Sequence, residues 1–314
     1  MLITVLTAAY NRAHTLPDVY ASLLTQRTDL EWIVVDDGST DATPDVLAAL
    51  AARAPFPVRL LRQEHAGVHA ARNRGLAAAR GELVAPLDSD DLLTPAALDR
   101  LAAHWRRARR DGGLAGVSAL CADESGRLIG DRFPADVVDA TWQEMTYRHR
   151  VRGEKFHLVR ADVLRAHPYP TTPRGFVGEA AVWRAIGRVR RMRHVNDVAR
   201  VYRQAGGDRI CRRPFAEFAA SQAVAHAAVL NDDIAWLRHD PLTFARSAAH
   251  LSRALFHRRV PARRQARRLA TRRARALWAA MAPVGWLLYL RDVPPSPAHP
   301  GVSRKNSIPG RESP

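Results

Sequence analysis

The sequence predicts an α/β protein: an open, mostly parallel sheet flanked by helices, with a helical C-terminal appendage. Three observations carry this. Short apolar, β-branched runs alternate with helical spacing through the first 120 residues. The runs are apolar throughout, as strands are when helices cover both faces of a parallel sheet. Polar residues gather directly after the runs, at the strand ends where open α/β sheets bind ligands.

The elements follow in order. Leu2–Thr7 is the first strand, and Thr15–Gln26 has helical spacing through Leu16, Val19, Leu23 and Leu24. Trp32–Val35 reads as a second strand. Thr43-Pro44 opens a helix, threonine as N-cap and proline at N1. Val58–Leu61 is a third strand, Val68–Arg80 a helix and Leu83–Leu87 a fourth strand. Thr94-Pro95 repeats the cap signal before a helix to about Arg109, and Leu114–Leu120 is a fifth strand. Between 121 and 210 the pattern breaks into strand-like Phe156–Val159 and Val198–Tyr202, with a helix from about Gly178 to Ile186. From Pro214 to Arg275 the Ala- and Arg-rich chain reads as helices; beyond Asp292, prolines, serines and charges predict a disordered tail.

The 314 residues suffice for one domain and an appendage, and 47% apolar with 25% charged is ordinary for a globular chain. The net charge of +17 is not ordinary, and Lys155 and Lys305 are the only lysines. Arginine suits bidentate contact with phosphate, so pyrophosphate, acidic lipid or nucleic acid come first as partners. Two cysteines without a C-x-x-C pair argue against a disulfide framework or a thiolate zinc site and fit a reducing cytoplasm. No basic region precedes the first apolar run, so no secretory signal is read. Ala276–Leu290, 15 residues with Pro283 and Gly285 inside, falls short of the about 20 that a membrane span needs.

Three polar clusters sit at strand ends: Thr7-Ala8-Ala9-Tyr10-Asn11-Arg12, Asp36-Asp37-Gly38-Ser39 and Asp88-Ser89-Asp90-Asp91. Parallel strands bring all three to one crevice. Carboxylates crowded as in the third stay ionised most easily around a cation, and oxygen-only ligands select Mg²⁺ or Mn²⁺. The plainer reading is an acidic helix start favoured by the helix dipole. Asp36-Asp37-Gly38-Ser39 is either a turn or a base- or ribose-binding loop. In His65–Gly75, Gly67 permits close approach and the helix N-terminus attracts phosphate. Neither His65 nor His69 has a second ligand pair near it, which argues against zinc.

Taken together, TAAYNR, VVDDGSTD, HAGVHAARNRGLAAARGE and LDSDD, in that order, resemble the family 2 glycosyltransferases of the GT-A fold, over Leu2 to about Arg203. The resemblance implies an inverting, metal-dependent hexosyltransferase that uses a nucleotide-diphosphate sugar, UDP-linked first among candidates. It implies that Ala9 and Asn11 line the nucleotide, that Asp37 with Asp36 meets the base, and that Gly67 and Arg72 lie on the donor. Asp88 and Asp90, the D-x-D pair, would serve ribose and Mn²⁺ or Mg²⁺, with Asp91 a substitute ligand. Many relatives carry Glu-Asp in the segment matching Phe176–Trp183; Ala180 stands second here, which leaves Glu179 as the base. Arg203 and Arg209 would contact the pyrophosphate.

Residues 1–120 would then be the donor half, 121–210 the acceptor and catalytic half, 211–292 a basic helical appendage and 293–314 the tail. The acceptor would be a saccharide or lipid-linked, in cell-surface polysaccharide or glycolipid synthesis. A catalytically inactive, nucleotide-binding relative is the alternative that Ala180 raises. Nucleic acid is not expected as a partner, since the strand-end carboxylates repel phosphate and no nucleic-acid motif occurs. Nine arginines fall in the eighteen residues from Arg258 to Arg275, beside apolar Trp286–Leu290. That pairing predicts peripheral contact with the anionic inner face of the cytoplasmic membrane, and so a cytoplasmic protein.

Overall fold

A computed structural model describes residues 1–171, 178–203 and 214–292. The buried first half builds β1 (Ile3–Ala9), α1 (Leu16–Leu23), β2 (Leu30–Asp36), α2 (Thr43–Arg53), β3 (Val58–Arg62), α3 (Val68–Ala78) and β4 (Leu83–Pro86). There follow β5 (Leu92–Leu93), α4 (Ala97–Ala108), β6 (Leu114–Ala122), β7 (Val137–Ala140), β8 (Lys155–Arg160), α5 (Ala161–Ala166), α6 (Ala180–Gly187) and β9 (Arg191–Val201). All these strands join one sheet in the order β3-β2-β1-β4-β8-β6-β9-β5, with β7 paired to β9.

β1 to β4 are mutually parallel, as the apolar runs predict. The second half is mixed. β8 lies between β4 and β6 and runs antiparallel to both, so the expected fifth strand is two places from β4. β9 is parallel to β6, while β5 and β7 pair antiparallel with it.

Alternation along each strand divides the core. Trp32 and Val34 pack with Leu16, Leu101 and Trp105 on one face; Ile33 and Val35 pack with Leu6, Ala71 and Leu164 on the other. Helices therefore cover both faces.

The two threonine caps are not formed. Ala42 holds the N-cap position of α2, and the Thr43 hydroxyl accepts the Arg12 N–H at 2.7 Å. The Thr94 hydroxyl donates to the Val198 carbonyl at 2.8 Å, and α4 starts only after Ala96, at φ 53°. In both places a contact distant in sequence has taken the hydroxyl that a local motif would use. Proline still occupies the first turn of α2, where its missing N–H costs nothing.

The C-terminal helices are α7 (Ala219–Asp232), α8 (Pro241–His257), α9 (Ala262–Gln265) and α10 (Arg272–Asp292). Asp240 caps α8, accepting from the Thr243 N–H at 3.2 Å. Leu230, Phe244, Leu251, Leu255 and Trp278 form a separate apolar core that reaches the sheet region through Tyr147. The join is polar at its centre. Asp233, 1% exposed, accepts from the Tyr147 hydroxyl at 2.9 Å and from Gln143 at 3.3 Å, and pairs with Arg184 of α6 at 2.9 Å. Cys121 is a buried free thiol. The expected tail beyond Asp292, Cys211 and the Phe176-Val177 pair lie outside the described residues.

Candidate functional site

The carboxyl ends of β1, β2 and β4 lie side by side, in register Ala9↔Asp36 and Leu6↔Pro86. The segments that follow them, the start of α3 and the N-terminus of α6 surround one polar crevice.

Ala9 is buried at the end of β1, and its carbonyl accepts the Asp37 N–H at 2.8 Å. Asn11 takes a left-handed conformation, φ 54°, and its side-chain oxygen accepts the Thr40 N–H at 2.9 Å. Its own N–H donates to the Ser39 hydroxyl at 2.9 Å, which sews the β1 loop to the β2 loop. Beside it, Tyr10 presents an exposed ring 4.2 Å from that of His65.

Asp36 and Asp37 are both buried. Asp36 accepts the Ser39 N–H at 2.9 Å and has Arg62 at 3.4 Å. Asp37 is occupied by its own chain. One oxygen takes Gln63 at 2.7 Å and the Ala66 N–H at 2.9 Å; the other takes the Gly67 N–H at 2.8 Å and has His65 at 3.0 Å. A carboxylate has about four lone-pair sites; three accept hydrogen bonds from the chain itself, and the His65 ring lies beside the fourth. Asp37 thereby fixes the loop that leads into α3, where Gly67 turns the chain at φ 90°, a value that suits glycine.

Arg72 is the centre of the crevice. Its guanidinium is 5% exposed and reaches Asp88 at 2.5 Å with one nitrogen and Glu179 at 2.6 Å with the other. It also lies over the Tyr169 ring at 5.3 Å. Burial works against its charge, but Glu179 and Asp88 outweigh that and hold the cation more firmly than usual. Two carboxylates from opposite halves of the sequence, 107 and 16 residues from Arg72, thus meet on one buried arginine.

The three aspartates after β4 differ in environment. Asp88 is half-buried, and burial raises its pKa less than Arg72 and Arg200 lower it. Asp90 is pushed up by burial and by the charge of Asp88. Asp91 is 1% exposed and pushed up to about 8, by burial above all, with Asp88 and Asp90 adding to it against Arg200. Asp91 accepts the Arg203 N–H at 3.1 Å and has Arg200 at 3.3 Å, so it offers no oxygen at the surface. The Arg203 side chain pairs with Asp18 at 2.8 Å. Arg209 lies outside the described residues.

Among the described residues no three His, Cys, Asp or Glu side chains are grouped to hold a metal. Asp88 and Asp90 nevertheless fit one. They are adjacent hard oxygen donors at the rim, and their mutual repulsion is what a cation relieves. Mg²⁺ and Mn²⁺ sites commonly use one or two carboxylates, with phosphates and water completing the shell.

Arg200 was not among the residues singled out from sequence. It is buried on β9 and faces Asp91, Asp88 at 3.9 Å and Glu154 at 3.2 Å. Its signal was present as a lone charge inside the apolar stretch Val198–Val201.

A family model described as glycosyl transferase family 2 matches residues 4–162, half of the chain. EpsH of Bacillus subtilis is 40% identical over 175 residues, 52% of this chain and 48% of that one. The succinoglycan biosynthesis protein ExoO of Rhizobium meliloti is 42% identical over 121 residues, 38% and 33% of the two chains. The chain thus spans about a third to a half of the length of these curated relatives. The crystal structure of S. aureus TarS 1–349 in complex with UDP-GlcNAc shares the fold, with a TM-score of 0.65 at 17% identity over 93% of this chain and 92% of that one. No helix among the described residues is long and apolar enough to cross a membrane. The sequence motifs, the sheet with its GT-A likeness and the family match agree: the chain belongs to glycosyl transferase family 2.

Proposed function

We propose that the protein transfers a hexose from a nucleotide-diphosphate sugar, UDP-linked first, to a hydroxyl of a saccharide or lipid-linked acceptor, with inversion. The observation that carries this is the Arg72 bridge between Asp88, on the donor strand ends, and Glu179, at the start of α6. It puts an acid-binding cation and a rim carboxylate within one side chain of each other.

In this reading the nucleotide lies over Ala9 and Asn11, its base against the Tyr10–His65 rings and the loop that Asp36 and Asp37 hold rigid. Gly67 and the N-terminus of α3 face the phosphates. Asp88 and Asp90 hold Mn²⁺ or Mg²⁺, which supplies countercharge to the departing diphosphate. Arg72 is the fixed cation within the crevice, and Arg203 and Arg209 are further candidate contacts of the diphosphate. Glu179, 35% exposed, accepts the proton of the acceptor hydroxyl. Asp91 and Arg200 seat the metal-binding loop from beneath. The likeness to the succinoglycan biosynthesis protein ExoO supports polysaccharide synthesis as the setting.

Titration calorimetry with UDP, GDP and dTDP, with and without Mn²⁺, tests the donor site beside an Asp90→Asn variant. One nucleotide is expected to bind in a metal-dependent way and to lose that dependence in the variant. Absence of binding by all three removes the reading. Binding without turnover of any sugar conjugate favours the inactive, nucleotide-binding alternative.

A further inference from the structure

A surface helix normally shows the solvent a polar face. α10 does not. Its inner face packs on α8 through Trp278 and through Gly285, where an added Cβ would meet the Ala249 carbonyl and Ser252. The helix is pinned at its end, where Asp292 takes both Arg253 nitrogens at 2.6 Å and His257 at 2.7 Å. Yet every residue from Ala276 to Leu290 is apolar or aromatic, so the outward face is apolar as well. Val284 is 41%, Trp286 44%, Leu287 59% and Leu290 48% exposed. They line one side of a helical stretch about 22 Å long at 1.5 Å per residue.

The N-terminal flank carries only one sign of charge. No acidic residue occurs between Arg258 and Arg291. The nine arginines from Arg258 to Arg275 are all exposed, and among the described residues none of them pairs with a carboxylate. Arg272, Arg273 and Arg275 stand at the start of α10, and the rest lie on α9 and on the turns before and after it.

We infer that the outward face of α10, with the arginines at and before its start, seats the protein on an anionic lipid surface. Leu287, Leu290 and Trp286 enter the boundary between headgroups and acyl chains, while the arginines meet lipid phosphates. Charge selects this occupant over the others. A second copy joined through the same face would bring two dense arginine clusters together. A nucleic acid would use the arginines and leave the exposed leucines in water. A surface that is anionic above and apolar beneath uses both. The inference does not depend on which sugar, if any, the crevice binds.

The test is co-sedimentation of the full chain with vesicles of phosphatidylglycerol and phosphatidylcholine, against vesicles of phosphatidylcholine alone. The parent protein should bind the anionic vesicles at least about tenfold more tightly, and less so as salt is raised. Leu287→Glu with Leu290→Glu, and separately Arg263→Glu with Arg264→Glu and Arg267→Glu, should each weaken binding about tenfold or more. Far-UV circular dichroism and the thermal midpoint should be unchanged; if the acidic pair misfolds, Leu287→Ser replaces it. Three results overturn the inference: no partition of the parent protein, full binding by the leucine variant, or a parent dimer that this variant splits while vesicles are ignored. Tight RNA or DNA binding without vesicle binding does so too.

Discussion

Arg72 joins two carboxylates that the proposed reaction uses differently, and substitution separates them. Glu179→Gln keeps a hydrogen-bond partner for Arg72 but cannot take a proton. Steady-state kinetics should show kcat reduced about 10²-fold or more, with donor affinity in calorimetry within a fewfold of the parent. Near-parent turnover would remove Glu179 from the role of base. Asp37 behaves differently, since the chain itself gives its carboxylate three hydrogen bonds. Asp37→Asn turns an amide toward N–H donors in a buried place, and urea denaturation should show a loss of about 1–3 kcal/mol. Sequence reading left the Asp36-Asp37 loop open between a turn and a base contact. Nothing in Asp-Asp-Gly-Ser says which N–H groups will arrive from Gln63 to Gly67. The convergence of the Asp36 and Asp88 loops was legible, because strand ends in a parallel sheet share an edge; Arg72, inside α3, was marked only by the family resemblance. The fit of Glu179 onto the same arginine rests on the placement of α6, which no local pattern fixes.

At the scale of elements, α3 lies close on the sheet because Gly75 has no side chain. A Cβ there would overlap Leu6 of β1 and come within 3.0 Å of Val35 of β2. Three residues earlier on the same helix, Arg72 depends on that approach to reach Asp88. Gly75→Val should therefore cost about 1–3 kcal/mol in chemical denaturation, an overpacking effect. Parent-like stability would mean that α3 can lift without penalty. β1, β2 and β4 were readable because both their faces are buried, which leaves an uninterrupted apolar run; β3, half-exposed at the margin of the sheet, shows only Val58, Leu60 and Leu61. β9 was half-hidden. Its Arg191, Arg193, Asn196 and Asp197 break the run, and each is satisfied by a partner far away in sequence: Asp111, Asp139, the Phe133 backbone and His104. β7, at the margin of the sheet, has an exposed Val137 and an aspartate in four residues, too little pattern to find.

For the molecule as a whole, stability should depend on pH through buried histidines. His194 is 5% exposed on β9, beside β7, and burial pushes its pKa down to about 4. The unfolded chain takes up its proton near 6.5, and the folded one not until about 4. Its contribution is therefore complete above about pH 6.5 and is lost as the pH falls toward 4. His194→Leu should lose about 1–2 kcal/mol less stability than the parent between pH 7 and pH 5 in paired urea titrations. An identical pH response in both proteins would mean that His194 is not kept neutral by the fold.

α6 has two masters. Its first turn follows Glu179, at the crevice; its last turn carries Arg184, locked to Asp233 beyond the end of α7. The C-terminal helices are thus a foundation for the crevice rather than baggage behind it. A chimera that grafts a relative's C-terminal helices onto this sheet would inherit the donor loops intact. It would also re-aim the helix bearing Glu179 unless the aspartate came with the graft.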